Sequence, residues 1–207
     1  MSLYEILPPE IPANWFARLE AGDVIVLPHF GVVAEADERD LFTPAILASA
    51  KSASFDPRSG RLSGTTLQGA RAERLVSLMR RFTESAAALV DRLFPRDAGR
   101  VGRARASFRP AEIAGRETSW RKDDTRLHVD SFPAVWAIAS KRSRRGSCRG
   151  FECRGTTWLA FTDEVVHAAM SGQYQPEQTF LLPVDAMLHP ERSPLRILER
   201  LKGKALV

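Results

Sequence analysis

The chain has 207 residues, of which 44% are hydrophobic and 27% are charged, and this composition predicts one ordinary globular domain over 1–207. No apolar run is long enough to span a membrane and the N-terminus shows no secretory signal, so we expect a cytoplasmic protein. The formal net charge of +5 favours acidic partners, namely nucleic acid, an anionic membrane surface or a negatively charged substrate. Cys148 and Cys153 are expected to be reduced thiols because no export signal is visible. A zinc site at these cysteines is disfavoured because it would need a second pair of ligands.

The first half of the chain is expected to be mostly helical. Apolar residues recur at helical spacing in its longest element, and Pro95 stops that element. Gly22 and Pro28 are placed to end a short helix and a short buried strand. In chain order, the patterns predict a helix over 12–22, a strand over 23–27, a helix over 37–50, a hairpin over 54–65 and a helix over 68–94.

Strand patterns are more frequent from residue 101 onward. Ala104, Ala106 and Phe108 alternate with polar residues, which predicts a half-buried strand before Pro110. The later patterns predict strands over 157–161 and 179–182 and a short amphipathic helix over 194–201.

A basic stretch at about 134–155 interrupts these patterns. Its core, from Lys141 to Arg154, is rich in arginine and has neither periodicity nor apolar residues at regular spacing. Segments of this kind usually stay disordered or bind polyanions. We therefore expect a disordered basic insert that makes no contact with the hydrophobic core.

One short stretch, 125–132, alternates apolar and polar residues as a β-strand does. On a strand, residues two apart point to the same face, so His128 and Asp130 would project together as two ligands for a divalent metal. The best candidate for a third ligand is His167, which would complete the two-histidine, one-carboxylate triad of non-haem Fe(II) oxygenases. The spacing alone is a weak signal, and it is also typical of a histidine paired to a neighbouring aspartate at a strand edge.

Several stretches together resemble one enzyme family. The chain resembles the Kdo hydroxylases, which use Fe(II) and 2-oxoglutarate to hydroxylate the 3-deoxy-D-manno-oct-2-ulosonic acid (Kdo) sugar of the lipopolysaccharide inner core. The most specific match is 121–130, which contains His128 and Asp130. The resemblance covers 1–133 and 155–207, and its similar stretches are 13–29, 119–133, 165–174, 178–187 and 193–201.

The resemblance implies an α+β fold in which a helical N-terminal half packs on a double-stranded β-helix, or jelly-roll, core. It implies that His128, Asp130 and His167 bind Fe(II), with 2-oxoglutarate and dioxygen as co-substrates. The implied acceptor is a Kdo-containing lipid or sugar. Peripheral contact with the cytoplasmic face of the inner membrane is therefore expected, and a nucleic-acid partner is not.

Two departures from the family pattern modify these expectations. Only 39 positions separate His128 from His167, which predicts an internal deletion and an incomplete jelly-roll core. No basic residue follows His167 closely enough to bind the distal carboxylate of 2-oxoglutarate as in many such enzymes. Arg121, Lys122 and Arg126 are therefore the candidates for that role, by their proximity in sequence.

Three functional hypotheses remain open. The first is an Fe(II)- and 2-oxoglutarate-dependent Kdo hydroxylase, whose shortened core predicts weak or absent activity. The second is a non-catalytic remnant of that fold. The third is a polyanion- or nucleic-acid-binding protein that uses Lys141 to Arg154, which is disfavoured because that run lacks interleaved aromatic residues for stacking bases.

Overall fold

A seven-stranded antiparallel sheet forms the centre of the protein in the computed structural model. The structure describes residues 12, 14–27, 36–41, 43–48, 52–96, 98–109, 113–114, 135–143, 156–165, 171–172 and 175–206. The strands are β1 (Ile25–Leu27), β2 (Ala53–Phe55), β3 (Leu62–Ser63), β4 (Gly102–Arg109), β5 (Ile113–Ala114), β6 (Val135–Ser143), β7 (Thr156–Phe161), β8 (Ser171–Gly172) and β9 (Gln175–Pro183). The strand order of the large sheet is β1-β7-β6-β9-β4-β2-β3, and β5 pairs with β8 separately.

Three α-helices accompany the sheet, namely α1 (Asn14–Glu20), α2 (Gly69–Leu93) and α3 (Pro194–Lys202). The apolar stripe of α2, which includes Leu78 and Phe82, joins one hydrophobic cluster with the buried Phe55, Phe108 and Phe180 of strands β2, β4 and β9. The helix therefore covers one face of the sheet, as its three- and four-residue apolar spacing predicts.

The sequence predicts an α-helix over 37–50, and this prediction is wrong. The structure has short 3-10 turns at Ala36–Leu41 and Pro44–Ile46 instead. Pro44 explains the interruption, because a proline disfavours α-helical dihedral angles in the residue before it and cannot donate a backbone hydrogen bond. The hairpin of β2 and β3 is confirmed, and its turn is held by the Asp56 carboxylate, which accepts a 2.9 Å bond from the backbone N–H of Arg58.

The predicted helical N-terminal half is only partly correct. Strands β1, β2 and β3 all come from that half and join the same sheet as the later strands. Strand β1 pairs with β7, while β2 pairs with β4, so both edges of the sheet are built from N-terminal residues. The fold is thus a mixed helix-and-sheet structure in which the two halves of the chain share one sheet.

Strand β6 occupies Val135–Ser143, which lies inside the stretch predicted to be a disordered insert. The expectation does not hold for these nine residues, because β6 pairs with β7 on one side and β9 on the other. Apolar residues with high strand propensity, including Val135, Trp136 and Ile138, begin this strand. Residues 144–155 lie outside the described residues.

The ladder between β4 and β9 is followed by a second, shorter ladder. Arg109 is opposite Gln175 at the end of the first ladder, and Ile113 is opposite Gly172 in the pair of β5 and β8. The same two chain segments therefore pair in the large sheet and again in the small one. None of the described helices is long and apolar enough to cross a membrane.

Candidate active site

The ends of three neighbouring strands meet at one end of the large sheet. Strand β6 begins there, and β7 and β9 end there, because Ile138 is opposite Phe161 and Val135 is opposite Pro183. We call this the upper end of the sheet. The segment that precedes β6 and the segment that follows β7 therefore leave the sheet at the same end, from two adjacent strands.

The predicted metal ligands lie in these two connections. Asp130 precedes the first residue of β6 by five positions, and His128 precedes Asp130 by two. His167 follows the last residue of β7 by six positions and precedes β8 by four. All three lie outside the described residues, as do Arg121, Lys122 and Arg126. Within the described residues, no group of three histidine, cysteine or acidic side chains is arranged to bind a metal.

A cluster of carboxylates lies at the upper end of the sheet. Asp163 and Glu164 belong to the turn that follows β7, and Glu20 ends helix α1. Burial, and then the nearby charges of Asp163 and Glu20, raise the pKa of Glu164 to about 7, while Arg192 acts in the opposite direction. Glu164 is therefore close to half-protonated at neutral pH, three residues before His167.

Glu20 joins helix α1 to the chain that follows β9. Its carboxylate accepts hydrogen bonds from the backbone N–H groups of Leu188 (2.5 Å) and His189 (2.9 Å), and the residue is 2% exposed. Burial raises the pKa of Glu20, whereas these two bonds lower it. The acceptor is thus fixed between elements far apart in sequence, and it stabilises the turn beneath Glu164.

Sequence reasoning did not find this cluster, because its members come from α1, the β7 turn and the 3-10 turn at Pro190–Arg192. The only local signal is the pair Asp163-Glu164 directly after a predicted strand, and such pairs are usually solvated. Their burial follows from the tertiary packing of three elements, and no periodic pattern in the sequence indicates it.

The sheet face opposite α2 is more polar than the face that α2 covers. Trp158 and Glu177 are half-buried there, whereas their neighbours Leu159 and Gln178 are fully buried on the α2 side. Strand β6 lies between β7 and β9, with Lys141 opposite both Trp158 and Glu177 in the backbone register. An aromatic and polar surface of this kind can bind a sugar by stacking and hydrogen bonding.

The sequence profile of one family, described as 3-deoxy-D-manno-oct-2-ulosonic acid (Kdo) hydroxylase, matches residues 5–145 and 147–205. The chain belongs to the Kdo hydroxylase family. This match confirms the resemblance that centres on His128 and Asp130. No curated protein sequence matches the chain.

Solved structures of the Kdo hydroxylase KdoO, a non-heme Fe(II) alphaketoglutarate-dependent dioxygenase, have the same fold as this Kdo hydroxylase family member. Its cobalt(II) complex is 30% identical with a TM-score of 0.81, over 93% of this chain and 90% of that chain. The complex with alphaketoglutarate and Fe(III) is 29% identical with a TM-score of 0.80 over the same shares, and the apo structure gives 30% and 0.81.

The family match also corrects the extent of the resemblance. The basic stretch at about 134–155 belongs to the match except for Gly146, so it is not unrelated to Kdo hydroxylases. The two matched segments meet at Gly146, between β6 and β7. That the chain has an internal deletion stays a prediction.

Proposed function

We propose that this protein is an Fe(II)- and 2-oxoglutarate-dependent dioxygenase that hydroxylates a Kdo sugar. Its family and its similarity to KdoO support this proposal, since the solved relatives bind iron or cobalt, alphaketoglutarate and succinate. The residues of this chain that would bind the metal are His128, Asp130 and His167.

One observation supports this ligand set most directly. The chain enters β6 and leaves β7 at the same end of adjacent antiparallel strands. Asp130 lies eight residues before Ile138, and His167 lies six residues after Phe161, the partner of Ile138. The β6–β7 hairpin therefore returns the chain to the end of the sheet from which it departed, which supports a shared site for His128 and His167.

The donor set fits ferrous iron. Two neutral imidazoles and one carboxylate occupy three positions of an octahedral ion and leave three for a bidentate 2-oxo acid and dioxygen. When bound, this iron supplies the oxidative chemistry that inserts an oxygen atom into a C–H bond. The protein's part is to orient the sugar and to exclude water.

The remaining assignments extend the proposal. Arg121, Lys122 and Arg126 are the candidates for binding the distal carboxylate of 2-oxoglutarate, since a guanidinium pairs with a carboxylate in a bidentate manner. The core is proposed to be a jelly roll, because the β4–β9 ladder is followed by the β5–β8 ladder as in a folded-over pair of strands. We further propose that the acceptor is Kdo carried on a lipid, at the cytoplasmic face of the inner membrane.

The test is iron content together with succinate formation in the purified full-length chain. The wild-type protein should bind one iron and release succinate in the presence of a Kdo-bearing acceptor. Alanine at His128, Asp130 or His167 should each abolish both, because two protein donors hold the metal poorly. His189→Ala is the matched control, since His189 is half-exposed beside Glu191 and outside the proposed ligand set.

The outcomes separate the hypotheses. Full iron content in His128→Ala would overturn the ligand assignment. Iron binding without succinate formation in the wild-type protein would indicate a non-catalytic remnant of the fold. Tight, salt-sensitive binding of nucleic acid without iron would favour the polyanion hypothesis.

A further inference from the structure

Helix α3 is a firmly held element on the protein surface. The buried Ser193 caps its N-terminus by accepting a 3.3 Å bond from the backbone N–H of Arg196. Gly203 ends the helix with a φ of 63°, a left-handed conformation that glycine adopts without strain. Leu195 is 3% exposed and fixes the inner side of the helix to the hydrophobic core.

The outer side of α3 is apolar, which is unusual for a surface helix. Ile197 is 40% exposed, Leu198 42% and Leu201 78%. Ile197 and Leu201 are four residues apart on the side of the helix opposite Leu195, and Leu198 flanks them on the side nearer to Leu195. Of the six large apolar side chains exposed in the described parts of the chain, three form this apolar strip.

Basic residues border the strip. Arg200 lies three residues after Ile197 on one side, and Lys202 lies four residues after Leu198 on the other. Arg200 donates to the backbone carbonyl of Glu191, a neutral partner that leaves its charge uncompensated. Residues 190–206 contain five basic and two acidic residues.

The acid within α3 is turned away from the strip. The side chain of Glu199 is 11% exposed. It accepts bonds from Arg196 (2.5 Å) and from the backbone N–H of Leu206 (3.1 Å). The outer surface of the helix therefore presents an apolar centre and a positive rim, which is the composition of a helix that lies in a membrane interface.

The start of helix α3 lies near the upper end of the sheet. Helix α3 begins two residues after Arg192, whose charge acts on Glu164 and Glu20 at the upper end of the sheet. Glu164 in turn precedes His167 by three residues. A surface that binds through α3 would thus lie beside the end of the sheet where the proposed ligands enter.

We propose that the outer face of α3 (Ile197, Leu198 and Leu201, with Arg200, Lys202 and Lys204 at its rim) docks on an anionic lipid bilayer. Charge complementarity favours this partner over a neutral apolar one. The choice of an anionic bilayer as the partner rests on the proposed function, whereas the exposed strip and its rim do not.

The test is co-sedimentation of the full-length protein with vesicles. Vesicles containing phosphatidylglycerol should bind the wild-type protein, and pure phosphatidylcholine vesicles should bind it much less. The double variant Ile197→Ser, Leu201→Ser should bind about tenfold more weakly, because it removes the two apolar side chains on the side of the helix opposite Leu195. Lys202→Gln should weaken binding about fivefold and reduce its salt dependence.

The control is Val24→Ser, Val26→Ser, which changes two exposed apolar side chains of 43% and 37% exposure at strand β1 and should leave vesicle binding unchanged. A wild-type protein that ignores anionic vesicles would overturn the proposal, as would an equal loss of binding in the β1 variant. A wild-type dimer that the α3 variant dissociates would also overturn it, because the strip would then be a self-association surface.

The result can be separated from that of the proposed function. Iron content and succinate formation with a water-soluble Kdo acceptor should be the same in the α3 variants as in the wild-type protein. Vesicle binding by a chain that holds no iron would support the docking surface while contradicting the proposed catalysis.

Discussion

Glu38 and Arg81 form an ion pair in which both side chains are withdrawn from water. One guanidinium nitrogen of Arg81 lies 2.6 Å from each carboxylate oxygen of Glu38, and the side chains are 13% and 3% exposed, respectively. The pair fixes the 3-10 turn at Ala36–Leu41 to helix α2. Removing one partner of such a pair leaves a buried charge without compensation.

We therefore expect Glu38→Ala to lower the free energy of unfolding by about 3–5 kcal/mol. Asp40→Ala is the matched control in the same turn, since Asp40 pairs with Arg71 at 3.1 Å and Arg74 at 3.0 Å while 44% exposed. That change should cost less than about 1 kcal/mol. Equal losses in urea denaturation would show that the burial of the Glu38 pair has no energetic effect.

The raised pKa of Glu164 predicts that the folded protein loses stability as the pH rises toward neutrality. Its pKa of about 7 in the folded protein lies above the ordinary 4.5, so the folded state holds the extra proton between these values. Stability from this group is therefore greatest below pH 4.5, falls as the pH rises through the interval and is constant above about 7.

Glu164→Gln should remove this pH dependence, because the amide stays neutral. The expected gain above pH 7 is on the order of 1 kcal/mol, reduced from the full effect because the side chain keeps some contact with water. No gain is expected near pH 4.5. Thermal unfolding across this range measures the effect, with Glu84→Gln on the exposed side of α2 as control. A gain that is the same at every pH would contradict the titration.

Glu20→Ala should destabilise the junction between α1 and the chain after β9. It removes the acceptor for two backbone N–H groups, at Leu188 and His189, which predicts a loss of about 1–3 kcal/mol. Asp23→Ala is the control, because Asp23 forms an ion pair with Arg18 at 2.7 Å while 46% exposed. Comparable losses of stability in the two variants would mean that the buried acceptor contributes no more than an exposed ion pair.

Strand β6 predicts slow amide hydrogen exchange over Val135–Ser143. Its backbone is paired with strands on both sides, whereas β3 (Leu62–Ser63) is a two-residue strand at the sheet edge. Amides of β6 should therefore exchange much more slowly than those of β3. Exchange in β6 as fast as in β3 would restore the expectation of a disordered basic insert.

The short connection between the two proposed histidine ligands predicts slow turnover. Metal ligands need a supporting shell to hold them to within about half an ångström, and only 39 positions separate His128 from His167. Succinate formation should thus be slower than that of KdoO assayed beside it. An equal rate would show that the β6–β7 hairpin alone supports the site.

Most elements of the fold could be predicted from periodicity. Helices α1, α2 and α3, the hairpin of β2 and β3, and strands β1, β4, β7 and β9 all overlap the predicted ranges. The spacing of apolar residues within each element indicates which of its faces is buried, so a short window of sequence is enough to predict the element.

The errors arise where local pattern and tertiary structure disagree. Strand β6 was missed because Lys141 and Arg142 give it the composition of a disordered segment, while its hydrogen bonds come from β7 and β9. Strand order and the carboxylate cluster at Glu20 and Glu164 depend on long-range packing, which no short window of sequence contains. The metal ligands lie outside the described residues and stay a prediction supported by the family.

The strand order has a consequence for synthesis of the chain. Strand β9 is the last strand along the chain, yet it lies between β6 and β4 near the middle of the sheet. Until residues 175–183 leave the ribosome, β4 and β6 each expose an unpaired edge that can recruit another nascent chain. Truncation before Gln175 would leave two unjoined half-sheets rather than a smaller domain, and chaperones would have to protect both edges during translation.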